Sequence, residues 1–315
     1  MITFGPVPSR RLGRSLGVNN IPPKVCTYAC VYCQLGKAIR MQSARQEFYP
    51  VDWVVREVTS RFKECAGEGE PPDYITFVPD GEPALDANLK EEIEEVKKLG
   101  ANVAVITNAS LLSQRSVRSA LASADWVSCK VDAGEETLWR KINRPVRDLD
   151  FNAITRSLYY FREEFSGSLV TETMLIEGVN DTPAALERTA NILRALRPDI
   201  AYIAVPTRPP AETWVRPASE KALADAHRIF TGSVSKTEFL IHYEGDNFSS
   251  GTSFEEDILS ITSVHPMREE AVRKLEERYN IGDAPLEKLI AEEKVKRLNY
   301  RGETYYLRNL KKDLS

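Results

Sequence analysis

Lys24-Val25-Cys26-Thr27-Tyr28-Ala29-Cys30-Val31-Tyr32-Cys33-Gln34-Leu35-Gly36 packs three of the chain's five cysteines into eight residues. The C-x3-C-x2-C spacing lets one loop wrap three thiolates around one face of an iron–sulfur cube. Cubes otherwise take four cysteine ligands, so three leave one iron open to a further ligand, much as a catalytic zinc keeps one free position. The competing reading is a zinc knob or a redox-inert cluster completed by a distant donor. Cys65, Cys129, His227, His242 and His265 all lie far from the loop in sequence. A disulfide framework would spread its cysteines more evenly and suits a smaller secreted chain. Clustered reduced thiols point to a reducing compartment, so a cytoplasmic protein is expected.

Outward from this loop the pattern is regular. Short apolar runs at 74–78, 102–107, 126–131, 169–176, 200–205 and 238–243 read as strands, with an earlier one at 15–21. Amphipathic stretches at 52–65, 88–99, 113–122, 151–165, 182–196 and 219–230 read as helices. Trp53, Val54, Val58 and Phe62 illustrate the apolar stripe of the first. Strict alternation argues for parallel pairing through helical crossovers, hence a barrel or an open doubly wound sheet. At 245–253 (GDNFSSGTS) the composition turns loop-like, marking a boundary between residues 1–244 and 254–315. Beyond it, helical patterns at 254–261, 268–279 and 285–293 precede a hairpin of 296–300 and 304–308. That element order resembles a small winged helix-turn-helix domain.

The chain has 315 residues, 42% hydrophobic and 28% charged, enough to bury a large core. No stretch approaches the roughly 20 apolar residues that span a bilayer, and no signal-like segment follows Met1, so neither membrane insertion nor secretion is expected. A net charge of −4 gives no reason to expect a globally basic nucleic-acid binder.

The cysteine loop resembles that of the radical S-adenosylmethionine (SAM) superfamily, whose pattern is C-x3-C-x-aromatic-C, with Tyr32 as the aromatic. Asp80-Gly81-Glu82-Pro83 follows a strand as that family's Gly-Glu motif does. Thr107-Asn108 resembles its Thr-Asn-Gly, with Ala109 in place of the glycine. Lys130-Val131-Asp132-Ala133 and Lys141-Ile142-Asn143-Arg144-Pro145 are similar to further family stretches. The resemblance covers about residues 1–244 and implies a partial (β/α)6 TIM-like barrel with a [4Fe–4S] cluster at its mouth. It implies Cys26, Cys30 and Cys33 as ligands, and an open iron chelating S-adenosyl-L-methionine. One electron then cleaves SAM to methionine and a 5′-deoxyadenosyl radical, which abstracts hydrogen from a substrate. Gly81 and Glu82 take the positions that contact the methionine amino group; glycine permits close backbone approach, and glutamate accepts from an ammonium. Thr107 and Asn108 are candidates for the ribose or methionine end. Lys130 replaces a ribose-binding serine and either pairs with the SAM carboxylate or is a solvated strand-end lysine. Glu172 stands where many relatives carry an arginine for that carboxylate, so another cation is expected to do the job.

The first 46 residues hold Arg10, Arg11, Arg14, Lys24, Lys37, Arg40 and Arg45 and no acid. Arg10, Arg11 and Arg14 are the leading residues for an anionic substrate, against a reading as a solvated basic stretch. Arg208 and Glu212 follow a barrel strand, at the end where barrel active sites form. They either face substrate or belong to a Pro-stiffened turn, and Glu244 and Asp246 carry the same ambiguity. Residues 254–315 carry twelve Lys or Arg against thirteen Asp or Glu. Lys311 and Lys312 belong to a basic end, but Glu287, Glu292 and Glu293 sit on the third helix, which disfavours base reading.

These observations lead to a radical SAM enzyme acting on a macromolecule, fed by a flavodoxin- or ferredoxin-like electron donor. The branch it most resembles contains wybutosine synthases and glycyl-radical activases. A second cysteine triad, expected of wybutosine synthases, is absent from the sequence, but RNA modification more broadly is favoured by the basic N-terminus. Peptide or protein modification, with the last domain as recruiter, is the alternative. An iron–sulfur transcription regulator is the non-enzymatic one, and it must explain a whole barrel and a Gly-Glu motif. Every cofactor motif precedes residue 245, so barrel and last domain are expected to be separable in function.

Overall fold

A computed structural model describes residues 2–241, 253–264 and 266–309. Strands β1 (Thr3–Ser9) and β2 (Gly13–Val18) form a hairpin, and β3 (Val25–Cys26) pairs with β4 (Arg40–Met41) around the cysteine loop. The β/α units follow as α1 (Val51–Gly67), β5 (Tyr74–Phe77), α2 (Leu89–Lys97), β6 (Asn102–Thr107), α3 (Arg115–Leu121) and β7 (Trp126–Lys130). They continue with α4 (Glu136–Asn143), α5 (Phe151–Glu164), β8 (Ser168–Met174), α6 (Pro183–Leu196), β9 (Ile200–Ala204), α7 (Glu220–Thr231) and β10 (Thr237–Leu240). One sheet runs β1-β2-β5-β6-β7-β8-β9-β10, parallel from β2 onward. Six strand–helix units ending on β10 make the partial barrel that the family resemblance implies, with β1 added at the edge.

Local chemistry accounts for the helix starts. Asp150, Thr182 and Ser219 each accept a backbone N–H from the first turn of α5, α6 and α7, and Pro183 opens α6. Along β6, Val103 and Val105 face the helices while Ala104 and Ile106 face the barrel interior. The interior holds Leu12, Ala104, Trp126, Val170 and Tyr202, so the β1–β2 turn plugs one end of the barrel. The other end, where the parallel strands finish, is left for the site.

The last described unit comprises α8 (Phe254–Val264), β11 (Met267–Arg268), α9 (Glu269–Arg278), α10 (Ala284–Ala291), β12 (Val295–Tyr300) and β13 (Glu303–Arg308). Its sheet order is β11-β13-β12, and Ile258, Ile261, Leu275, Leu289 and Tyr306 form its own core. The expected linker lies outside the described residues except for Ser253, as do His242, Glu244, Asp246, His265, Lys311 and Lys312. The unit is docked on the barrel. Val7 packs into its core, Ser260 donates to the Thr3 carbonyl at 3.4 Å, and Tyr300 and Tyr305 donate to the carbonyls of Pro206 and Thr207 at 3.2 and 3.0 Å. Edge strand β1 is thereby covered, a contact that the sequence reading did not anticipate.

Candidate active site at the cysteine loop

Residues 24–36 are fixed from both sides at the C-terminal ends of the parallel strands. Lys24 takes a left-handed φ of 63°. It is held there by a backbone bond to the Asp80 carbonyl at 2.6 Å, a buried ion pair with Asp80 Oδ1 at 2.9 Å, and a bond to the Leu35 carbonyl. Burial pushes the Asp80 carboxyl up to about 6 against the pull of Lys24. Val25 bridges to Gly81, and a Cβ on Gly81 would meet the Val25 carbonyl oxygen at 2.0 Å. The glycine is therefore what lets the cysteine strand cross β5's end. On the far side, Ala29 and Val31 donate to the carbonyls of Asn143 and Ile142 at 3.0 and 2.9 Å, and the Glu212 backbone donates to Val31 at 3.1 Å.

Cys26, Cys30 and Cys33 are free, partly buried thiols, close enough to act on one another electrostatically. Burial pushes all three up, Cys30 to about 12 with Asp132 adding to it, while Lys24 pulls Cys33 down. Among the described residues no three His, Cys, Asp or Glu side chains converge on one point as a single ion demands. Three thiols on one loop, with side-chain amides aimed at two of the sulfurs, are a donor set that fits a cube, in which each thiolate takes its own corner iron.

Two side-chain amides point at these sulfurs. Asn108 Nδ2 lies 3.6 Å from Cys26 Sγ and 2.7 Å from Thr27 Oγ1. Asn143 Nδ2 lies 3.4 Å from Cys30 Sγ and 2.7 Å from Asp132 Oδ2. Asp132 also accepts from the Tyr32 hydroxyl and from the Met174 N–H at 2.9 Å. The aromatic before the third cysteine is thus tied to the end of β7, with the Lys130 ammonium 5.6 Å from its ring centroid.

Glu82 is 1% exposed and already engaged. Its carboxylate accepts from Ala84 N at 3.0 Å, Thr107 Oγ1 at 2.6 Å and Asn108 N at 2.7 Å. Burial raises it to about 7 while those donors pull the other way. Here the side chain positions the 107–108 turn, and so Asn108. Its expected role as acceptor for the methionine ammonium must compete with three protein donors. Thr107 in turn accepts from Ala109 N at 3.0 Å.

Lys130 is paired rather than solvated. It and Arg11, at 2.8 Å, share the carboxylate of Glu172. Burial would raise Glu172, but the two cations outweigh it and hold it at about 2. Arg11 also lies 5.8 and 5.9 Å from the ring centroids of Trp126 and Tyr202. Arg10, Arg11 and Arg208 line one cleft with Gln34, Glu172, Met174 and Thr207. Arg14 does not join them: it pairs with Glu70 at 2.9 Å, where β2 begins, away from the strand ends. Glu212 pairs with Lys37 and Arg144 at 3.1 and 2.6 Å, strapping the loop.

The sequence reading missed three contributors: Asp132 as the hub, Asn143 as a sulfur donor and the Lys24–Asp80 pair. Each sits in a stretch that was read, but i-to-j distances of 56 to 113 residues carry no local signal.

The radical SAM superfamily family profile matches residues 20–190. A UPF0026 protein of Methanocaldococcus jannaschii is 41% identical over 312 residues, covering 98% of this chain and 97% of the relative. Among solved structures, a radical SAM methyltransferase from Sphaerobacter thermophilus superposes with a TM-score of 0.53 at 16% identity, over 73% of this chain and 66% of that one. Streptococcus suis SuiB bound to S-adenosylmethionine superposes with a TM-score of 0.52 at 13% identity, over 71% and 49%. At these identities the structural likeness is one of fold.

Proposed function

The chain belongs to the radical SAM superfamily, and from that premise we propose that it is an RNA-modifying enzyme. Superfamily enzymes use a [4Fe–4S] cluster and SAM and need an electron donor. Here Cys26, Cys30 and Cys33 are the cluster's ligands. Held by these thiolates, a cluster with SAM on its open iron would supply one-electron radical chemistry at a substrate C–H bond. The chain's own residues do the rest. Lys24–Asp80 and Gly81 set the loop, and Asn108 and Asn143 donate to its sulfurs. Tyr32, packed against the Asp132 hub, limits water at that wall.

The observation that carries the RNA reading is the arginine cleft beside Gln34, next to Cys33. Tyr300 and Tyr305 of the last unit hold the 206–207 segment of that cleft. We read the unit's three helices and β11-β13-β12 sheet as a winged helix that brings substrate to this mouth. A peptide or protein substrate is favoured instead by the near-neutral charge of that unit, whose depression between α9 and α10 carries Glu269 and Glu287 paired with Arg273 and Arg297 beside Glu276 and Asp283. No helix among the described residues is long and apolar enough to cross a membrane. We take the compartment to be the cytoplasm and the donor to be flavodoxin- or ferredoxin-like.

The test is anaerobic incubation of reconstituted protein with SAM, dithionite and substrate pools deuterated in turn. Deuterium reaching 5′-deoxyadenosine from small RNA is the expected result, and transfer only from peptides shifts the reading to proteins. Salt-steep duplex binding without SAM cleavage would establish a regulator instead.

A further inference from the structure

Between α9, α10 and the β12–β13 hairpin lies a depression of about 160 Å³. Val272, Leu286 and Tyr306 give it apolar walls, and four carboxylates line it as well. Two of these are answered within the unit, Glu269 by Arg273 at 2.8 Å and Glu287 by Arg297. Arg297 is further held 5.5 Å from the Tyr306 ring centroid. Glu276 and Asp283 are the other two. Asp283 stands at the N-cap of α10 yet makes no side-chain cap bond. Glu276 is 8% exposed, and its Oε1 is buried with no hydrogen-bond partner among the described residues. Burial pushes its carboxyl up, and Asp283 and Glu287 add to this against the pull of Arg273. A buried acceptor is nearly always paired. With like charges beside it, this one is answered better by a cation than by a neutral donor.

The lining narrows the kind of cation. A metal ion needs several converging ligands, and among the described residues no three His, Cys, Asp or Glu side chains supply them. Lysine and arginine combine an apolar stem with a charged head, the two surfaces that this depression offers. Nucleic acid, with its anionic backbone, is disfavoured there. We propose that the depression is a docking site for a lysine or arginine side chain of a protein partner. The stem lies against Val272, Leu286 and Tyr306, and the charged head meets Glu276 and Asp283. The inference goes beyond the chemistry of the barrel and does not depend on it.

The full chain is titrated with acetyl-Gly-Arg-Gly-amide and acetyl-Gly-Lys-Gly-amide at low ionic strength, by calorimetry and by amide NMR. The glutamine analogue acetyl-Gly-Gln-Gly-amide is the neutral control. Saturable binding of a basic peptide is expected, with amide shifts confined to 269–287 and 297–306, and none of the neutral one. Glu276→Gln should weaken binding about tenfold, as loss of a charge-assisted hydrogen bond does. Asp283→Asn, at the exposed rim, should weaken it about threefold. Glu276→Gln removes an unanswered buried charge, so the melting temperature of the free chain should hold or rise. Weaker binding by that variant is then not a sign of unfolding. Saturation by neither basic peptide, equal binding of the glutamine peptide, or unchanged affinity in both variants overturns the proposal. So does guanidinium chloride binding as tightly as the arginine peptide, which would make the depression a small-ion site. Shifts in the same segments on adding a small RNA would also overturn it, by making this face a nucleic-acid binder.

Discussion

Replacing Glu172 by Gln removes the one carboxylate between Lys130 and Arg11. The Glu172 side chain is 9% exposed, so solvent does little to screen the interaction. Holding its carboxyl at about 2 instead of 4.5 corresponds to about 3 kcal/mol of stability at neutral pH. The sign follows from linkage: a carboxyl lowered on folding stabilises the fold above its ordinary value, and the contribution is lost as pH falls from 4.5 towards about 2. Glu172→Gln should therefore lower unfolding free energy by about 3 kcal/mol in urea titrations. The deficit should stay constant from pH 8 to 5, because both folded and unfolded wild type are ionised there. The variant leaves two cations facing each other without a counter-charge, the expensive way to break a buried pair. Adding Lys130→Met should then recover stability, a non-additivity expected only of groups in contact. A deficit under 1 kcal/mol, or one that disappears between pH 7 and 5, would refute the reasoning.

Gly81→Ala places a methyl 2.0 Å from the Val25 carbonyl, a backbone atom. Reconstituted iron should fall to less than half of the wild-type content while far-UV dichroism is kept, and full iron content would show that the loop can yield. Asn143→Leu removes the amide 3.4 Å from Cys30 Sγ. Donors to sulfur favour the more negative, reduced cluster, so the midpoint should drop. A tenfold loss of reduced fraction at fixed potential is expected, roughly 60 mV, read by spectroscopic titration without SAM; an unmoved midpoint makes Asn143 a packing residue. Ending the chain after Ile241 strips α8 from β1 and exposes Val7. The shortened chain should associate through that edge and unfold earlier, whereas a stable monomer would show that the docked unit is not needed to cover β1.

Element type and order were legible because period and punctuation agree along residues 51–240: six strand–helix units stand within a few residues of where apolar spacing puts them. Strand β1 was not read at all: Gly5, Pro6 and Pro8 break its apolar alternation, and proline is tolerated here because β1 lies at the edge. Helix α4 (Glu136–Asn143) was not read as a helix; only its last turn falls in the Lys141–Pro145 motif. In the site, the cysteines declared themselves by local spacing. Glu82, Asn108 and Lys130 were found as positions, but their partners were not. Two of the three donors that occupy the Glu82 carboxylate come from residues 25 and 26 positions away, and only Ala84 N is local. Arg10 and Arg208 came together and Arg14 did not, because the β1–β2 turn sends Arg11 into the barrel and leaves Arg14 at the foot of β2.

The central claim is one [4Fe–4S] cluster on Cys26, Cys30 and Cys33 with an iron left for SAM. Iron and sulfide analysis of anaerobically reconstituted protein, coupled to electron paramagnetic resonance of the reduced form with and without SAM, tests it most directly. The account predicts about four irons per chain, a reduced-cluster signal that SAM alters, and loss of both on Cys26→Ala, Cys30→Ala or Cys33→Ala. Cys65→Ala and Cys129→Ala, which change buried core thiols, should leave both intact. Stoichiometric zinc, about eight irons per chain, or a cluster lost on Cys65→Ala would contradict it.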